Sequence, residues 1–456
     1  MAIHRFPEGF VWGAATSAQQ IEGGRSSGGR GDSVWDWYAT QDGAIEDGSN
    51  PFTACDHYNR RREDIELMKW LGLGAYRFST SWSRIMPGAG GPPNSEGLDF
   101  YDKLVDALLE ARIVPFITLN HWDMPVELMK PGGWASRETV SAFVDYTDAV
   151  TQRLGDRVRN WATHNEPWCI ATLGYEEGCH APGHRNPTEA LRAGHHLLVS
   201  HGLAMEVIRR NVDNAVAGIV LNLSPAWPHS DTEADREAAR RFDGLFNRWY
   251  LDPIFRGEYP RDAVEDRTRR GHLEDGRMPF VEDGDMEIAS VPIDFLGVNY
   301  YSRTAVKAGS NGDPVGAPLV PKEELTEMGW EVYPEGLTDI LVRVAEDYGP
   351  DRIFITENGI ALPEEPEGEG RVDDPRRVSY LRDHLLAAHR AIEAGVPLKG
   401  YFHWSLMDNF EWGNGYTKRF GLFRVDFETQ KRIPKRSASW YRDAIAANAV
   451  NDEGSD

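Results

Sequence analysis

The chain has 456 residues, 41% of them hydrophobic, which is enough for one large domain or two to three ordinary ones. It carries 49 Lys and Arg against 72 Asp and Glu, and the net charge of −23 argues against nucleic acid or an anionic membrane surface as a partner. The sequence has no apolar stretch approaching the roughly 18 residues of a membrane-spanning helix, so we expect no membrane span.

Eight short apolar or β-branched runs alternate with amphipathic segments along the chain. In chain order, the runs predict strands at residues 10–15, 75–79, 113–120, 161–163, 217–223, 294–300, 352–356 and 398–404. Apolar residues spaced by three and four predict helices at residues 61–72, 98–111, 137–154, 188–211, 232–247, 336–348 and 375–395. This alternation favours a closed parallel (β/α)8 barrel with elaborated loops, and we expect residues 1–456 to form a single catalytic domain.

An open doubly wound sheet is the alternative architecture. Against it, the first predicted strand is not followed by the Gly-x-Gly-x-x-Gly turn that opens many such sheets. Two further segments are expected to lie outside the barrel. Residues 363–374 are acidic and rich in Gly and Pro, which predicts an exposed loop, and residues 448–456 predict a disordered tail.

Two glutamates follow the fourth and seventh predicted strands. Glu166 lies in an Asn-Glu-Pro motif at 165–167, and Glu357 lies in a Thr-Glu-Asn-Gly motif at 356–359. Active sites of (β/α)8 barrels lie at the C-terminal ends of the strands, so the two carboxyls can face each other. Two such carboxylates are the groups that cleave a glycosidic bond. Taken singly, either glutamate could instead cap a helix or pair with an arginine.

The other predicted strand ends also carry polar or aromatic side chains. They are Arg77, His121, Asn165, Asn222, Asn299, Tyr301 and Trp404. A purely structural barrel would need only a few such groups. Aromatic faces beside neutral hydrogen-bonding groups suit a sugar, which has apolar C–H faces and a rim of hydroxyls. Core packing alone would explain most of the 15 Trp, 16 Tyr and 18 Phe, so this composition is weak evidence.

These motifs resemble glycoside hydrolase family 1, the β-glucosidase family, over almost the whole chain. The matching segments are Phe-Pro-Glu-Gly-Phe at 6–10, Ser-Ala-Gln-Gln-Ile-Glu-Gly at 17–23, Asp-His-Tyr at 56–58, His-Trp-Asp at 121–123 and Trp-Ser-Leu-Met-Asp-Asn-Phe-Glu-Trp at 404–412. The resemblance implies hydrolysis with retention of configuration at the anomeric carbon. It also implies a cis peptide bond between Trp404 and Ser405.

By that resemblance, Glu357 is the nucleophile and Glu166 the acid/base. Arg77 and Tyr301 are expected to hold Glu357 ionised and oriented. The charge of Glu357 should raise the pKa of Glu166 and keep it protonated in the free enzyme. Retention implies carboxyl groups roughly 5–5.5 Å apart. An arginine on a barrel strand could otherwise form a core ion pair.

The remaining candidates are expected to bind substrate. Those on the glycone side are Gln20, His121, Asn165, Trp404, Glu411 and Trp412, and Asn299 is expected to support the same polar layer. Those on the aglycone side are Trp168, His180, Asn222 and Trp330. Asn165 would bind the sugar 2-hydroxyl, and Trp404 would stack beneath the ring. Aromatic platforms on the aglycone side bind many leaving groups and do not identify one.

Three residues depart from the family pattern. His164 replaces the apolar residue usual before Asn-Glu-Pro, Gln19 replaces a common Tyr, and His403 stands where an aromatic often precedes Trp404. None of the three removes a catalytic group. His164 could alter the local polarity and the pH profile.

We expect no metal and no cofactor, because His121 has no partner at metal-ligand spacing.

The three cysteines, at 55, 169 and 179, offer no Cys-x-x-Cys pair and no disulfide framework. They fit a reducing compartment, and the N-terminal residues show no secretion signal, so we expect a cytoplasmic protein. A homo-oligomer is compatible with the sequence.

The expected activity is release of terminal β-D-glucosyl residues from cellobiose, short oligosaccharides and aryl glucosides. Gln20 and Glu411 can serve either hydroxyl geometry at position 4, so galactosides or fucosides are plausible further substrates. A 6-phospho-β-glycosidase is an alternative: Glu411 would repel a phosphate, but Lys418 lies a few residues further on. A catalytically silent sugar-binding homologue is another, although such proteins usually lack one of the two carboxylates. A transglycosylase also stays open.

Overall fold

A computed structural model describes residues 2–363 and 371–452 of the chain. Eight parallel strands close into a barrel in which each strand pairs with its neighbour in sequence and the eighth pairs with the first. They are β1 Val11–Ala15, β2 Ala75–Ser79, β3 Val114–Asn120, β4 Asn160–Asn165, β5 Val216–Asn222, β6 Phe295–Asn299, β7 Ile353–Asn358 and β8 Leu398–Trp404. The predicted (β/α)8 barrel is confirmed, and every predicted strand is present within two residues of its expected ends.

The principal helices surround this barrel. They are α1 His57–Leu71, α2 Ser95–Glu110, α3 Glu138–Leu154, α4 Pro187–Asn211, α5 Glu233–Asp243, α6 Glu335–Tyr348, α7 Pro375–Glu393 and α8 Arg436–Ala447. The predicted helix at 232–247 ends early as α5, and a π-helical turn over Gly244–Arg248 follows it. The sequence pattern missed α8 because its buried face consists mainly of small residues: Ser437, Ala438, Tyr441 and Ala444.

Shorter elements extend the loops. Short helices span Ala18–Ile21, Val34–Tyr38, Trp82–Ile85, Trp249–Arg256, Arg261–Arg269 and Asp285–Ala289, and a π-helical segment spans Cys169–Glu177. Ala226–Pro228, Thr304–Ala308 and Pro314–Gly316 form a small sheet, and Phe423–Val425 pairs with Arg432–Pro434. Among the described residues, none of the helices is both long and apolar enough to cross a bilayer.

The predicted tail at 448–456 is wrong for its first residues. Ala449–Asn451 pairs antiparallel with Ile3–Arg5, and the Asn448 side chain accepts a hydrogen bond from Trp12 Nε1 at 2.8 Å. Residues 453–456 lie outside the described residues, as does most of the loop predicted at 363–374.

Aromatic rings fill the barrel beneath its C-terminal mouth. Phe116 contacts Phe402 and Phe354 with ring centroids 5.0 and 5.5 Å apart, and Phe295 also lies 5.5 Å from Phe354. A Cβ added to Gly13 on β1 would lie 2.4 Å from the Phe402 ring, so this position must be glycine for the ring to fit. The packed rings form a rigid floor under the residues at the strand ends.

A buried ion cluster joins α1 to the C-terminal part of the chain. Asp64 accepts hydrogen bonds from Arg432 Nε at 2.8 Å and His57 Nδ1 at 2.7 Å, and all three side chains are buried. Burial alone would raise the pKa of Asp64, but His57 and Arg432 outweigh it and hold the pKa below its usual value. The carboxylate therefore stabilises the fold above its unfolded pKa, and that stabilisation is lost as the pH falls through the folded pKa.

We expect Asp64→Asn to destabilise the protein by about 3–5 kcal/mol near neutral pH, because it removes the buried counter-charge of Arg432. Urea unfolding followed by fluorescence would measure the change. Asp213→Asn, at an exposed aspartate, is the control. Equal unfolding midpoints for the two variants would contradict the prediction.

Candidate active site

A cavity of about 360 Å³ opens at the C-terminal ends of the barrel strands. It brings together most of the side chains that the sequence singled out. The predicted residues in its wall are His121, Glu166, Trp168, His180, Asn222, Asn299, Tyr301, Trp330, Glu357, Trp404, Glu411 and Trp412. Three more, Gln20, Arg77 and Asn165, lie directly behind this wall and are fully or almost fully buried.

Glu357, near the end of β7, is held by a cation and a hydroxyl. Arg77 Nη1 donates to its Oε1 at 2.7 Å, and the Tyr301 hydroxyl donates to its Oε2 at 2.6 Å. Burial raises the pKa of Glu357, while Arg77 and Tyr301 limit that rise. Of the two carboxyls, Glu357 is therefore the one placed to be ionised and fixed in one orientation.

Glu166 lies in a different environment immediately after β4. Its backbone takes a left-handed conformation with a φ of 49°. Asn299 Nδ2 donates to its Oε1 at 2.8 Å, and Cys169 Sγ lies 3.2 Å from its Oε2. Burial, followed by the charge of Glu357, raises the pKa of Glu166 to about 8. The sequence predicted the direction of this shift, but burial is a larger cause than the neighbouring carboxylate.

The two glutamates therefore lie in different surroundings. Glu166 carries a proton that it can donate, and Glu357 has the contacts that favour a carboxylate. Two carboxyl groups whose surroundings separate their roles in this way can act as an acid and a nucleophile in one reaction.

Asn165 links the polar groups beneath the cavity. Its Oδ1 accepts from Arg77 Nη2 at 2.7 Å and Asn299 Nδ2 at 3.0 Å, and its Nδ2 lies 3.2 Å from His121 Nε2. Its backbone carbonyl accepts from Trp122 Nε1 at 2.9 Å. These contacts fix the amide, so that the whole layer is organised before a ligand enters.

One side of the cavity is aromatic. The His121 ring lies nearly parallel to those of Trp404 and Trp412, at centroid distances of 5.6 and 5.9 Å. Burial and the charge of Arg77 lower the pKa of His121 well below its usual value, so the ring is neutral. Within the described residues its Nδ1 is buried and has no hydrogen-bond partner. The Trp404–Ser405 peptide bond is cis, as the family resemblance implied.

Glu411 lines the cavity, and Gln20 lies behind it. Gln20 Nε2 donates to Asn409 Oδ1 at 2.9 Å and lies 3.4 Å from Glu411 Oε2, while its Oε1 accepts from Ser17 Oγ at 2.7 Å. In this structure the amide of Gln20 is thus engaged with the protein rather than turned into the cavity. Burial, together with the charges of Glu357 and Glu166, raises the pKa of Glu411 to about 8.

Several residues of the cavity wall were not assigned a role from the sequence. They include Trp122, Cys169, Phe246, Arg303, Met328 and Phe420. Trp122 lies within the His-Trp-Asp motif, and Cys169 follows Glu166 by three residues, so local sequence could have indicated both. Phe246 packs on Trp168 at 4.6 Å but comes from the distant segment after α5, which no local signal connects to the site.

His164, the departure beside Glu166, is placed away from the cavity. Its ring stacks on Phe143 at 4.5 Å, and its nitrogens contact Asn120 at 3.0 Å and Ser200 at 2.8 Å. Burial lowers the pKa of His164 well below its usual value. The imidazole is therefore neutral and adds no charge next to Glu166, and an effect on the pH profile stays a prediction.

Comparison with known proteins gives one consistent result. Residues 2–450 match the family described as glycosyl hydrolase family 1. β-Glucosidase A of Acetivibrio thermocellus is 45% identical over 97% of this chain and 98% of its own length. A bifunctional β-D-glucosidase/β-D-fucosidase of Bifidobacterium breve is 43% identical over 98% and 99%. The solved family 1 β-glucosidase of Thermotoga maritima is 44% identical, with a TM-score of 0.94 over 99% of this chain and 100% of that one.

The raised pKa of Glu166 should depend on its neighbour. We expect Glu357→Gln to lower that pKa by roughly one unit, because the repelling charge is removed while the burial remains. Carbon-13 NMR of glutamate carboxyls would follow the titration, with Glu110→Gln, at an exposed site on α2, as the control. An unchanged titration of Glu166 would show that the two carboxyls do not interact.

Proposed function

The chain belongs to glycosyl hydrolase family 1, and from that premise we propose that it is a retaining β-glucosidase. It would release terminal β-D-glucosyl residues from cellobiose, short oligosaccharides and aryl glucosides. The observation that carries the proposal is the pair of buried carboxyls with opposite surroundings, Glu357 against Arg77 and Glu166 with a pKa of about 8.

In the first step, Glu357 attacks the anomeric carbon as the bond to the leaving oxygen breaks. Glu166 gives its proton to that oxygen, and the sugar becomes an ester of Glu357. The hydrogen bonds from Arg77 and Tyr301 hold the attacking carboxylate in position. The neutral Asn165 amide, fixed by Arg77 and Asn299, would bind the sugar 2-hydroxyl.

The second step reverses the role of Glu166. The ester has no charge, so the repulsion that helped to raise the pKa of Glu166 disappears. Glu166 then ionises and takes a proton from water, whose oxygen attacks the anomeric carbon. Glu357 leaves as a carboxylate and regains its charged contact with Arg77, and the sugar is released with its original configuration.

The glycone would bind between the aromatic wall and Glu411. Trp404 offers a face for the sugar ring, and the nearly parallel His121 ring belongs to the same wall. A carboxyl with a pKa of about 8 can both donate and accept near neutral pH, so Glu411 can serve either configuration of a 4-hydroxyl. This property supports fucosides or galactosides as second substrates, as does the similarity to a bifunctional glucosidase/fucosidase.

The leaving group would lie against the outer wall, formed by Trp168, His180, Asn222 and Trp330. The arrangement supports an aglycone that is flat or carries a sugar ring, without selecting one. The free thiols of all three cysteines support a cytoplasmic location.

Removing either glutamate should produce a distinct defect, which an aryl glucoside with a very good leaving group would reveal. Glu357→Ala should abolish hydrolysis, because the covalent ester cannot form. Glu166→Ala should still form the ester but stall before water attack. Added azide needs no base, so it should restore turnover and give β-glucosyl azide with Glu166→Ala and α-glucosyl azide with Glu357→Ala.

NMR coupling at the anomeric proton distinguishes the two azides. The opposite assignment of anomers would exchange the roles of the two residues. A loss of rate below about tenfold in both variants, roughly 1.4 kcal/mol in the barrier, would refute the glycosidase proposal.

Phosphorylated substrates should be poor ones. The cavity wall combines Glu166, Glu357 and Glu411, and its Arg303 is paired with Glu331 at 2.7 Å. Lys418 is not among the residues of the wall, and its Nζ lies 3.8 Å from Glu46 Oε2. We expect kcat/KM for an aryl 6-phosphoglucoside to be roughly 100-fold below that of the plain glucoside, and the ratio to widen as Glu411 ionises near pH 8. Glu411→Gln should remove this widening. A preference for the phosphorylated substrate would favour the 6-phospho-β-glycosidase alternative.

A further inference from the structure

Cys169 contacts Glu166 at both its backbone and its side chain. The Cys169 backbone N–H donates to the Glu166 carbonyl at 2.9 Å, and Cys169 Sγ lies 3.2 Å from Glu166 Oε2. The thiol is buried and belongs to the cavity wall. Neither step of the proposed reaction uses it.

We propose that Cys169 is a positioning residue for Glu166, whose S–H group supports the carboxylate form and sets the pH range in which Glu166 exchanges its proton. The proposal rests on the acid/base role given to Glu166 above.

The hydrogen bonds around the thiol define its direction. Asn222 Nδ2 donates to the sulfur at 3.7 Å, so the single hydrogen of the thiol is free to point at Oε2. The other oxygen of Glu166, Oε1, is already occupied by Asn299 Nδ2 at 2.8 Å. Burial, and then the charge of Glu166, raises the pKa of the thiol well above its usual value, so the S–H hydrogen is present throughout the working range.

The thiol can keep a hydrogen bond to the Glu166 carboxyl in both steps of the reaction. When Glu166 is the acid, Asn299 occupies Oε1, and the proton is therefore carried on Oε2, beside the sulfur, which can accept it weakly. When Glu166 is the base, the S–H donates to the charged Oε2. The thiol neither loses its proton nor forms a covalent bond.

Several charged and titratable groups face Glu166 from other elements. They are Arg77 on β2, Tyr301 after β6, Glu357 on β7 and Glu411 after β8. A substitution at Cys169 leaves all of them in place. A change in the pH profile would therefore report the local contact rather than a new balance of charge.

Cys169→Val and Cys169→Thr form a matched pair for the test. Valine and threonine have nearly the same shape, and only threonine keeps a hydrogen-bond donor. The basic limb of kcat/KM on phenyl β-glucoside reports the pKa of Glu166 in the free enzyme. The acidic limb of kcat, on an aryl glucoside limited by ester hydrolysis, reports it in the intermediate.

We expect both limbs to lie roughly half a pH unit higher for Cys169→Val than for Cys169→Thr, because a donor to the carboxylate lowers its pKa. Cys179→Val, which removes an exposed thiol, should keep the profile of the unaltered enzyme. Coincident profiles for the valine and threonine variants would overturn the proposal, even if both variants were slower. If the larger side chains prevent folding, Cys169→Ala and Cys169→Ser supply the same comparison.

The failure of this proposal can be distinguished from the failure of the proposed function. If Glu166 were not the acid/base, Glu166→Ala with Cys169 intact would not respond to azide. If only the role of Cys169 were wrong, azide would still restore turnover while the two Cys169 variants shared one pH profile.

Discussion

The ion pair between Arg77 and Glu357 is the interaction on which the rest of the site depends. Three buried carboxyls face one cavity, and burying a charge without a partner is strongly unfavourable. Arg77 resolves this for one of them, since it bonds Glu357 at 2.7 Å and anchors Asn165 with its other nitrogen. Glu166 and Glu411 are left to keep their protons until about pH 8. A single cation thus distinguishes Glu357 from the other two carboxyls.

The closed barrel brings the members of this ion pair together. Arg77 and Glu357 come from β2 and β7, which are far apart in the chain and meet only because the sheet closes. The packed phenylalanines beneath them fill the barrel interior, so the polar side chains stay at the strand ends. Glu166 has a left-handed backbone conformation, so the chain turns away from the direction of β4 directly after the strand. A π-helical segment begins three residues later. The carboxyl is therefore held by a turn rather than by the regular strand.

Much of this could be predicted from the sequence, because the barrel repeats one local pattern and places its chemistry at strand ends. Residues carried by motifs, such as Glu166, Glu357 and Trp404, were found in that way. Phe246 could not be found, since it reaches the cavity from a separate segment. Helix α8 was missed because small buried residues give little periodic signal, and the strand at Ala449–Asn451 because its partner lies at the other end of the chain. The Gln20 amide bonds Asn409 and Ser17 rather than facing the cavity, and a motif gives the identity of these residues but not the direction of their side chains.

The pairing of Ile3–Arg5 with Ala449–Asn451 has a practical consequence. Strand β1 starts, and helix α8 ends, on the side of the barrel opposite to the cavity, and the Asp452 N–H donates to the Ala2 carbonyl at 3.3 Å. A protein fused to the N- or C-terminal residue, or a linker from that residue to a solid support, would therefore leave the mouth of the cavity open to large substrates. A short linker could also join the two ends, and new termini could be opened elsewhere in a circularly permuted enzyme.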